Sequence, residues 1–392
     1  MTREYAVLLG VSIASYAVAL LVSYVLVRWV LPEGQTRDTN RYLAIDGIRG
    51  FLAFGVFIHH SVVTWLYLQS GTWGPPPTNF ANQLGRGSVA IFFMITAFLF
   101  WGRVLETKRA MDWKQFFVSR FFRIYPLYIL AFLIVGLAVG YKSHWTLNES
   151  PRRIIVETFQ WLVFRQPDIN QIPSTALVMA AVSWTLQYEL WFYLALPLLC
   201  FAILLKNPVW KQLACLLAVY ALFALNRLNP STAAAFLGGI LAVYWTREPR
   251  LRKLAQGKIA ASGALACFCG VFFLLRDSYH ALPLILLTIF FIVVASGNTL
   301  FGILSMRAAL WMGEISYSIY LLHGIILWIV LQNVAPSLPV LHRSPQAFAL
   351  TTFALATVVI LVSSVSLLLI ERPFIALGKQ ALKRPRRLSA AA

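Results

Sequence analysis

Apolar runs of 16 to 26 residues alternate with short polar segments along the chain. Eleven such runs can be drawn, at about 6–31, 46–68, 87–105, 121–141, 177–205, 209–226, 231–246, 257–275, 281–297, 312–335 and 347–370. A helix needs roughly 20 apolar residues to cross a bilayer. Continuous runs of this kind point to helices, whereas barrel strands show short stretches of alternating polarity. The expected fold is all-α, a polytopic integral membrane protein with about eleven transmembrane helices. The weakest runs are the fifth, whose first part is polar, and the short pair 231–246 and 281–297. The first run is long for a cleavable signal and lacks a small-residue cleavage pattern, so it is expected to be retained as a helix.

Composition agrees, with 59% hydrophobic and 12% charged residues. A net charge of +19 raises the question of nucleic acid, but the placement of the charge answers it. When the loops are assigned alternately to two sides, one side holds 24 of the 33 Lys and Arg. The positive-inside rule makes that side cytoplasmic, with the N-terminus outside and the basic tail, KQALKRPRR, inside, where it can meet anionic lipid headgroups. Nucleic-acid binding would need aromatic residues interleaved with the bases in a folded module, and none is visible. Cys200, Cys215, Cys267 and Cys269 all fall within or beside apolar runs and are expected to be packing residues. No metal-ligand cluster, phosphate-cradling glycine loop or GxSxG elbow is present, so no metal is expected and a hydrolase or ATP-driven pump gains no support.

Three loops on the other side stand out. Residues 69–86 contain three prolines and are expected to be non-helical. Residues 142–176 carry Lys142, His144, Trp145, Asn148, Glu149, Arg152, Arg153 and Arg165, and within them IIVETFQWLVFR suggests a helix lying at the interface or re-entering the membrane. A third loop, 336–346, contains His342 and Arg343. Such mixtures of polar and aromatic side chains suit a sugar-like acceptor, and equally an ordinary interfacial belt.

The chemistry-bearing residues fall into four groups. Arg49 and His60 are eleven residues apart in IDGIRGFLAFGVFIHH, so on one helix they share a face about 16 Å apart along the axis. Ionisable groups in hydrocarbon are costly unless they line an enclosed cavity, which makes this pair a candidate site. Asp46 lies three residues before Arg49 and can pair with it, while His59 points about 100° away from His60. Arg120 and Arg123, in SRFFRIYPLY, sit at the start of a span, where guanidinium groups suit phosphate or simply anchor the helix. Glu189, within WTLQYELWFY between Trp184 and Tyr193, is expected to be protonated or paired with an Arg or His, and is a candidate for orienting His60 or binding a hydroxyl. Ser316, Tyr320 and His323, in GEISYSIYLLH, are three to four residues apart and line one face. The ERPF stretch at Glu371 and Arg372 reads as a structural cap.

These segments resemble the acyltransferase-3 family of integral-membrane acyltransferases, typified by bacterial O-acetyltransferases of surface glycans. The family's Arg-X10-His motif falls on Arg49 and His60. GRGSVAIFFMITAFLF is similar to its Gly-Val-X-X-Phe-Phe helix, with Ala90 near the valine position and Thr96 where a serine often stands. SRFFRIYPLY, WTLQYELWFY, GEISYSIYLLH and ERPF match later elements, so the resemblance covers about residues 41–375. It divides the chain into an additional N-terminal helix and linker, 1–40, the family's membrane domain, 41–375, and a basic cytoplasmic tail, 376–392. The helix at 6–31 is extra to the family's usual ten spans. No fused extracytoplasmic esterase-like domain is visible, so the acylation is expected either to finish within the membrane domain or to pass to a separate extracytoplasmic partner.

The resemblance implies a multi-pass protein of the bacterial inner membrane that takes an acyl group, commonly acetyl, from cytoplasmic acyl-CoA to a hydroxyl of an extracytoplasmic carbohydrate. His60, Glu189 and Arg49 are then the expected catalytic residues, and Arg49, Arg120 and Arg123 the expected donor site. Asp46, His59, Trp184, Tyr193, Ser316, Tyr320 and His323 are candidates for binding substrate. In one route His60 is general base for direct attack on the thioester, and in the other a side chain is acylated first. The direct route is favoured because no thiol or serine is paired with an evident base. Two other readings compete: a flippase or transporter of a glycan or lipid-linked sugar without chemistry, and a membrane-bound O-acyltransferase of the unrelated histidine/asparagine type, which lacks the Arg-X10-His spacing.

Overall fold

The computed structural model describes residues 3–30, 42–107, 110–204, 208–334 and 344–382. Among them the secondary structure is helical throughout, apart from one isolated bridge between Ile169 and Ile172. In chain order the helices are α1 (Arg3–Val25), α2 (Leu43–Ser70), α3 (Asn79–Thr107), α4 (Trp113–Lys142), α5 (Pro151–Leu162), α6 (Trp184–Leu204), α7 (Val209–Leu225) and α8 (Pro230–Ala233). They continue with α9 (Ala235–Arg247), α10 (Pro249–Ala255), α11 (Lys258–Leu274), α12 (Ala281–Ala295), α13 (Arg307–Glu314) and α14 (Ser316–Leu327). Two more follow, which we number α15 (Pro345–Ser366) and α16 (Arg372–Ala381). The loop containing His342 and Arg343, and the basic tail beyond residue 382, lie outside the described residues.

Among the described residues seven helices are long and apolar enough to span a bilayer, or eight if α10 and α11, bent by 70° at their junction, form one broken span. The chain is an all-α polytopic membrane protein. The eleven runs each coincide with a helix, but those at 209–226, 231–246 and 281–297 make helices of only 17, 13 and 15 residues. These are at or below the short limit for crossing the hydrocarbon alone.

Three boundaries differ from expectation for physical reasons. Of the 69–86 loop only 71–78 is non-helical: Gly71, at φ +70, ends α2 in the left-handed conformation with its N–H on the Tyr67 carbonyl. The helix resumes as soon as the prolines are past, with Thr78 Oγ1 accepting from the Ala81 N–H at 3.2 Å. The fifth run does not begin at 177. A 3-10 turn covers Thr175–Met179, Ala180 and Ala181 take positive φ, and α6 starts at Trp184. The last apolar helix continues past 370 through a π-helical turn, Leu367–Glu371, into the amphipathic α16.

The segment 142–176 re-enters the bundle. Its helix α5 is capped by Ser150, whose side chain accepts from the Arg153 N–H. At the far end of α5, Tyr128 and Tyr125 of α4 donate to the carbonyls of Trp161 and Leu162 at 2.7 and 3.1 Å, and Trp161 stacks on Phe132. Tyr125 is 17 residues before the end of α4, so this docking point lies roughly 20 Å or more below that end. Buried Glu157 holds the return of the chain, accepting from Arg153 Nε at 3.3 Å and from the Asn170 N–H at 3.1 Å. Irregular backbone at this depth is tolerated because it is packed in protein.

At the centre, α3 is the most enclosed span, with 78% of its apolar window buried. Neighbouring backbones approach it and α2 closely through glycine. A Cβ on Gly239 of α9 would overlap the Met94 carbonyl of α3, one on Gly313 of α13 the Asp46 carbonyl of α2, and one on Gly47 the Leu304 carbonyl. Close packing of small residues is how helices associate where no water is displaced. Helix α1 braces the middle of α2: Tyr16 donates to the Phe51 carbonyl at 2.9 Å and packs its ring on Phe51 and Phe54. On the opposite rim of α3, Arg86 pairs with Asp277 of the α11–α12 loop at 2.8 Å.

Gly313→Leu is expected to destabilise the fold by at least about 3 kcal/mol, the upper end of overpacking costs, seen as loss of the folded peak in size-exclusion of detergent-purified protein. Gly136→Leu, where a Cβ meets open space, is the control and should stay within about 0.5 kcal/mol of wild type. A second expectation concerns acid. Partial burial tends to raise the Asp277 carboxyl, but the Tyr279 N–H and Arg86 outweigh it and hold the group below the ordinary carboxylate range. Its contribution is therefore present above the ordinary carboxylate range and lost as pH falls through the lowered value. Asp277→Asn should remove under about 1 kcal/mol at neutral pH, since the pair is partly exposed, and the difference from wild type should vanish in acid, read as apparent melting temperature.

Candidate active site

Six helices converge on one cavity of about 540 Å³. Its walls carry Arg49 from α2, Thr96 and Arg103 from α3, and Arg120 and Arg123 from α4. Helix α6 adds Glu189 and Tyr193, α14 adds Ser316, Tyr317 and Tyr320, and Lys379 of α16 stands at the rim. The wall thus holds five cationic side chains and one carboxylate among the described residues. That imbalance suits an anion of several charges, and guanidinium groups bind phosphate through paired, charge-assisted hydrogen bonds.

Each arginine is held differently. Arg49 pairs loosely with Asp46, Nη1 to Oδ1 at 3.7 Å, as the three-residue spacing predicts. Arg123 faces the buried carboxylate of Glu371 at 3.9 Å. Arg120 lies over the Phe100 ring at 4.9 Å, and its Nε has no hydrogen-bond partner among the described residues. None of these contacts is a close bidentate pair, so donor capacity remains for a ligand. The ERPF stretch is therefore more than a cap. Glu371 is 1% exposed, accepts a hydrogen bond from Ser318 and supplies negative charge behind Arg123, while Arg372 makes a 2.7 Å ion pair with Glu314.

Glu189 sits on the cavity wall and not beside His60. Its two oxygens accept from Tyr193 at 2.8 Å and Thr96 at 3.2 Å. On α3, Thr96 lies eleven residues, about 16 Å of helix, from Gly85, against which the neighbouring His59 ring packs. The role of orienting His60 thus has no geometric basis for Glu189, whereas meeting a hydroxyl or amide in the cavity does. Deeper in, a neck of hydroxyls closes the space: Tyr320 and Thr185 share a 2.7 Å hydrogen bond, Tyr320 donates to the Val182 carbonyl at 3.0 Å, and the Phe92 ring stands edge-on to Tyr320. Ser316, 1% exposed, presents an Oγ without a partner among the described residues.

Beyond that neck lie the imidazoles. His323 is fully buried, one turn from Tyr320, and its Nε2 is 3.1 Å from Nδ1 of His60. His60 is partly exposed and stacks at 6.3 Å on Trp73 of the 71–78 loop. Neither histidine lines the arginine cavity. Arg49 and His60 therefore face one path along α2, but with the Tyr320 neck between them. His59 turns away as its helical phase requires: Nδ1 is 2.8 Å from the Ala81 carbonyl, and the ring fills the space left by Gly85. Trp184 is 37% exposed and packs edge-on against Phe93 and Tyr188, outside the cavity wall. Among the described residues no group of three or more His, Cys, Asp or Glu is placed to hold a metal.

Sequence reasoning missed Arg103, Tyr317, Lys379, Glu371 and Trp73. The charged residues among them were visible only as positive-inside loops or as a cap. Nothing in their local spacing shows that α3, α4 and α16 bring them together.

An all-α membrane protein with a cation-lined cavity leading to a histidine pair is the class that the fold and site define. Residues 42–369 match the family described as "Acyltransferase domain", and the chain belongs to this acyltransferase-3 family. It is similar to Acyltransferase MdmB of Streptomyces mycarofaciens, 27% identical over 46% of this chain and 44% of that one. It is also similar to Peptidoglycan O-acetyltransferase OatA of Listeria monocytogenes, 25% identical over 74% of this chain and 50% of that one. The chain thus spans about half the length of these relatives. No solved structure matches.

Proposed function

We propose that this membrane acyltransferase moves an acyl group, acetyl in the simplest case, from acyl-CoA to a hydroxyl of a carbohydrate or glycoconjugate on the other side of the membrane. The observation that carries the reading is the succession along α2 and α14 from an arginine mouth, through a hydroxyl-lined neck, to paired histidines. Arg49, Arg103, Arg120 and Arg123 hold the donor's phosphates, on the side that the positive-inside rule makes cytoplasmic. The amide-bearing pantetheine arm extends past Thr96, Ser316 and Tyr320, whose hydroxyls match its hydrogen-bonding groups. A relative named as acting on peptidoglycan supports a cell-envelope glycan as acceptor.

In this mechanism His60 Nε2 takes the proton of the acceptor hydroxyl as its oxygen attacks the thioester carbonyl. The new C–O bond forms, the C–S bond breaks, and the proton passes from His60 to the departing thiolate. No acyl-enzyme is needed, since among the described residues no Ser or Cys is hydrogen-bonded to His60 or His323. Glu189, fixed by Tyr193 and Thr96, serves the donor end.

Two outcomes are expected with detergent-purified protein. His60→Ala should leave acetyl-CoA binding intact and abolish transfer of labelled acetyl into the envelope glycan. Normal transfer by this variant would overturn the assignment and favour a transporter that works without chemistry. Separately, Arg49→Ala and Arg123→Ala should each weaken acetyl-CoA binding roughly 10- to 100-fold by calorimetry, the value of a charge-assisted hydrogen bond, with the wild-type affinity falling as salt is raised. Unchanged affinity would show that these arginines only anchor their helices.

A further inference from the structure

We infer that His323 is the positioning residue for His60: it fixes which nitrogen of His60 is free and stabilises the imidazolium formed when His60 accepts a proton. This rests on the reading of His60 as the base. Two backbone carbonyls, which only accept hydrogen bonds, fix the tautomers of the pair. His323 Nδ1 lies 2.9 Å from the Ile319 carbonyl, so in the neutral ring the proton sits on Nδ1 and Nε2 presents a lone pair. His60 Nδ1 lies 3.0 Å from the Val56 carbonyl, so it too carries the hydrogen. That hydrogen is shared with the His323 Nε2 lone pair at 3.1 Å. The remaining atom, His60 Nε2, has no partner among the described residues and is the lone pair available to a hydroxyl.

Proton transfer changes the pair in one direction. Once His60 is charged, its Nδ1–H donates to His323 as an ion to a neutral acceptor, a stronger bond than the neutral one. An interaction that strengthens as the reaction proceeds accelerates it, whereas one equally strong throughout does not. His323 is held for this task. Gly324 beside it packs so closely on the backbone of Met179 and Ala180 that a Cβ there would overlap them, and Phe57 and Tyr320 stand edge-on to the ring at 6.5 and 6.2 Å. The other titratable groups facing the pair are His59, whose ring is 4.8 Å from that of His60, and Tyr320. Neither offers a carboxylate, so the role that an Asp has in a Ser-His-Asp triad falls here to a neutral imidazole acceptor.

The test uses the full chain in membrane vesicles, with acetyl-CoA as donor and incorporation of labelled acetyl into envelope glycan as readout. In His323→Gln the side-chain oxygen can stand where Nε2 stood and still accept from His60. His323→Asn reaches only the Nδ1 position and keeps the Ile319 bond, and His323→Leu keeps neither. We expect His323→Gln to hold kcat within about threefold, and His323→Asn and His323→Leu to lower it about 10- to 100-fold with KM for acetyl-CoA unchanged. The double variant His60→Ala/His323→Leu should be no worse than His60→Ala. Wild-type kcat in His323→Leu, or equal losses in His323→Gln and His323→Asn, overturns the inference. Should His323→Leu fail to fold, judged by acetyl-CoA binding, the contrast of Gln with Asn decides alone. If His60→Ala itself transfers normally, the functional reading falls; if it is inactive while His323→Leu is normal, only this inference falls.

Discussion

Buried guanidinium charge is the constraint around which this bundle is arranged. Arg49, Arg120 and Arg123 point into one cavity of a membrane protein, where an unpaired charge costs several kcal/mol. Asp46, Glu189 and Glu371 approach them from three different helical segments, so the charges are tolerable only if those segments meet. Yet the ion-pair distances of 3.7 and 3.9 Å are long. Tight bidentate pairs would stabilise the empty protein better and leave nothing for a phosphate to gain. In the proposed function, that looseness is what leaves the charge cluster free to take an anion.

The convergence depends on backbones approaching more closely than side chains usually allow. Gly47 and Gly313 bring α2 against α13 and the turn before it, and Gly239 does the same for α9 and α3. Ordinary residues at those points would separate the helices that carry Arg49 and Thr96. Helix α1 joins this scheme by pinning the α2 backbone at Phe51, between Arg49 and His60. It therefore stiffens the stretch of helix whose eleven-residue interval sets the depth of the site.

Much of this could be read from the sequence because it is helical periodicity acting within one element. The shared face of Arg49 and His60, the Asp46 pair, the divergence of His59 and the aligned Ser316, Tyr320 and His323 all follow from 3.6 residues per turn. What could not be read is tertiary. Glu189 hydrogen-bonds Tyr193 one turn away and Thr96 across a helix boundary, partners that only the assembled bundle brings to it or that spacing alone does not single out. Glu371 reads as part of a cap because ERPF stands at the end of the last apolar run, whereas the fold buries Glu371 facing Arg123 and pairs Arg372 with Glu314. Residues 177–182 of the fifth run are apolar and so read as span, but a 3-10 turn and two left-handed alanines return the chain into the bundle there.

That returning segment bears on how the two ends of the site communicate. Ala180 and Ala181 hold positive φ, a conformation costly for residues with a Cβ, and the Val182 carbonyl just after them accepts from Tyr320. The barrier between the arginine cavity and the histidine pair is thus made of side-chain hydroxyls resting on a strained turn, not of a continuous helix. A donor arm bearing its own amides and hydroxyl can exchange hydrogen bonds with Tyr320 and Thr185 one for one, so opening the neck to it leaves no buried polar group unsatisfied. Water or ions offer no such matched set along the apolar walls of Val89, Phe92 and Phe93. In the proposed reaction the same neck that seals the two sides from each other is the point at which a thioester passes from arginine to imidazole.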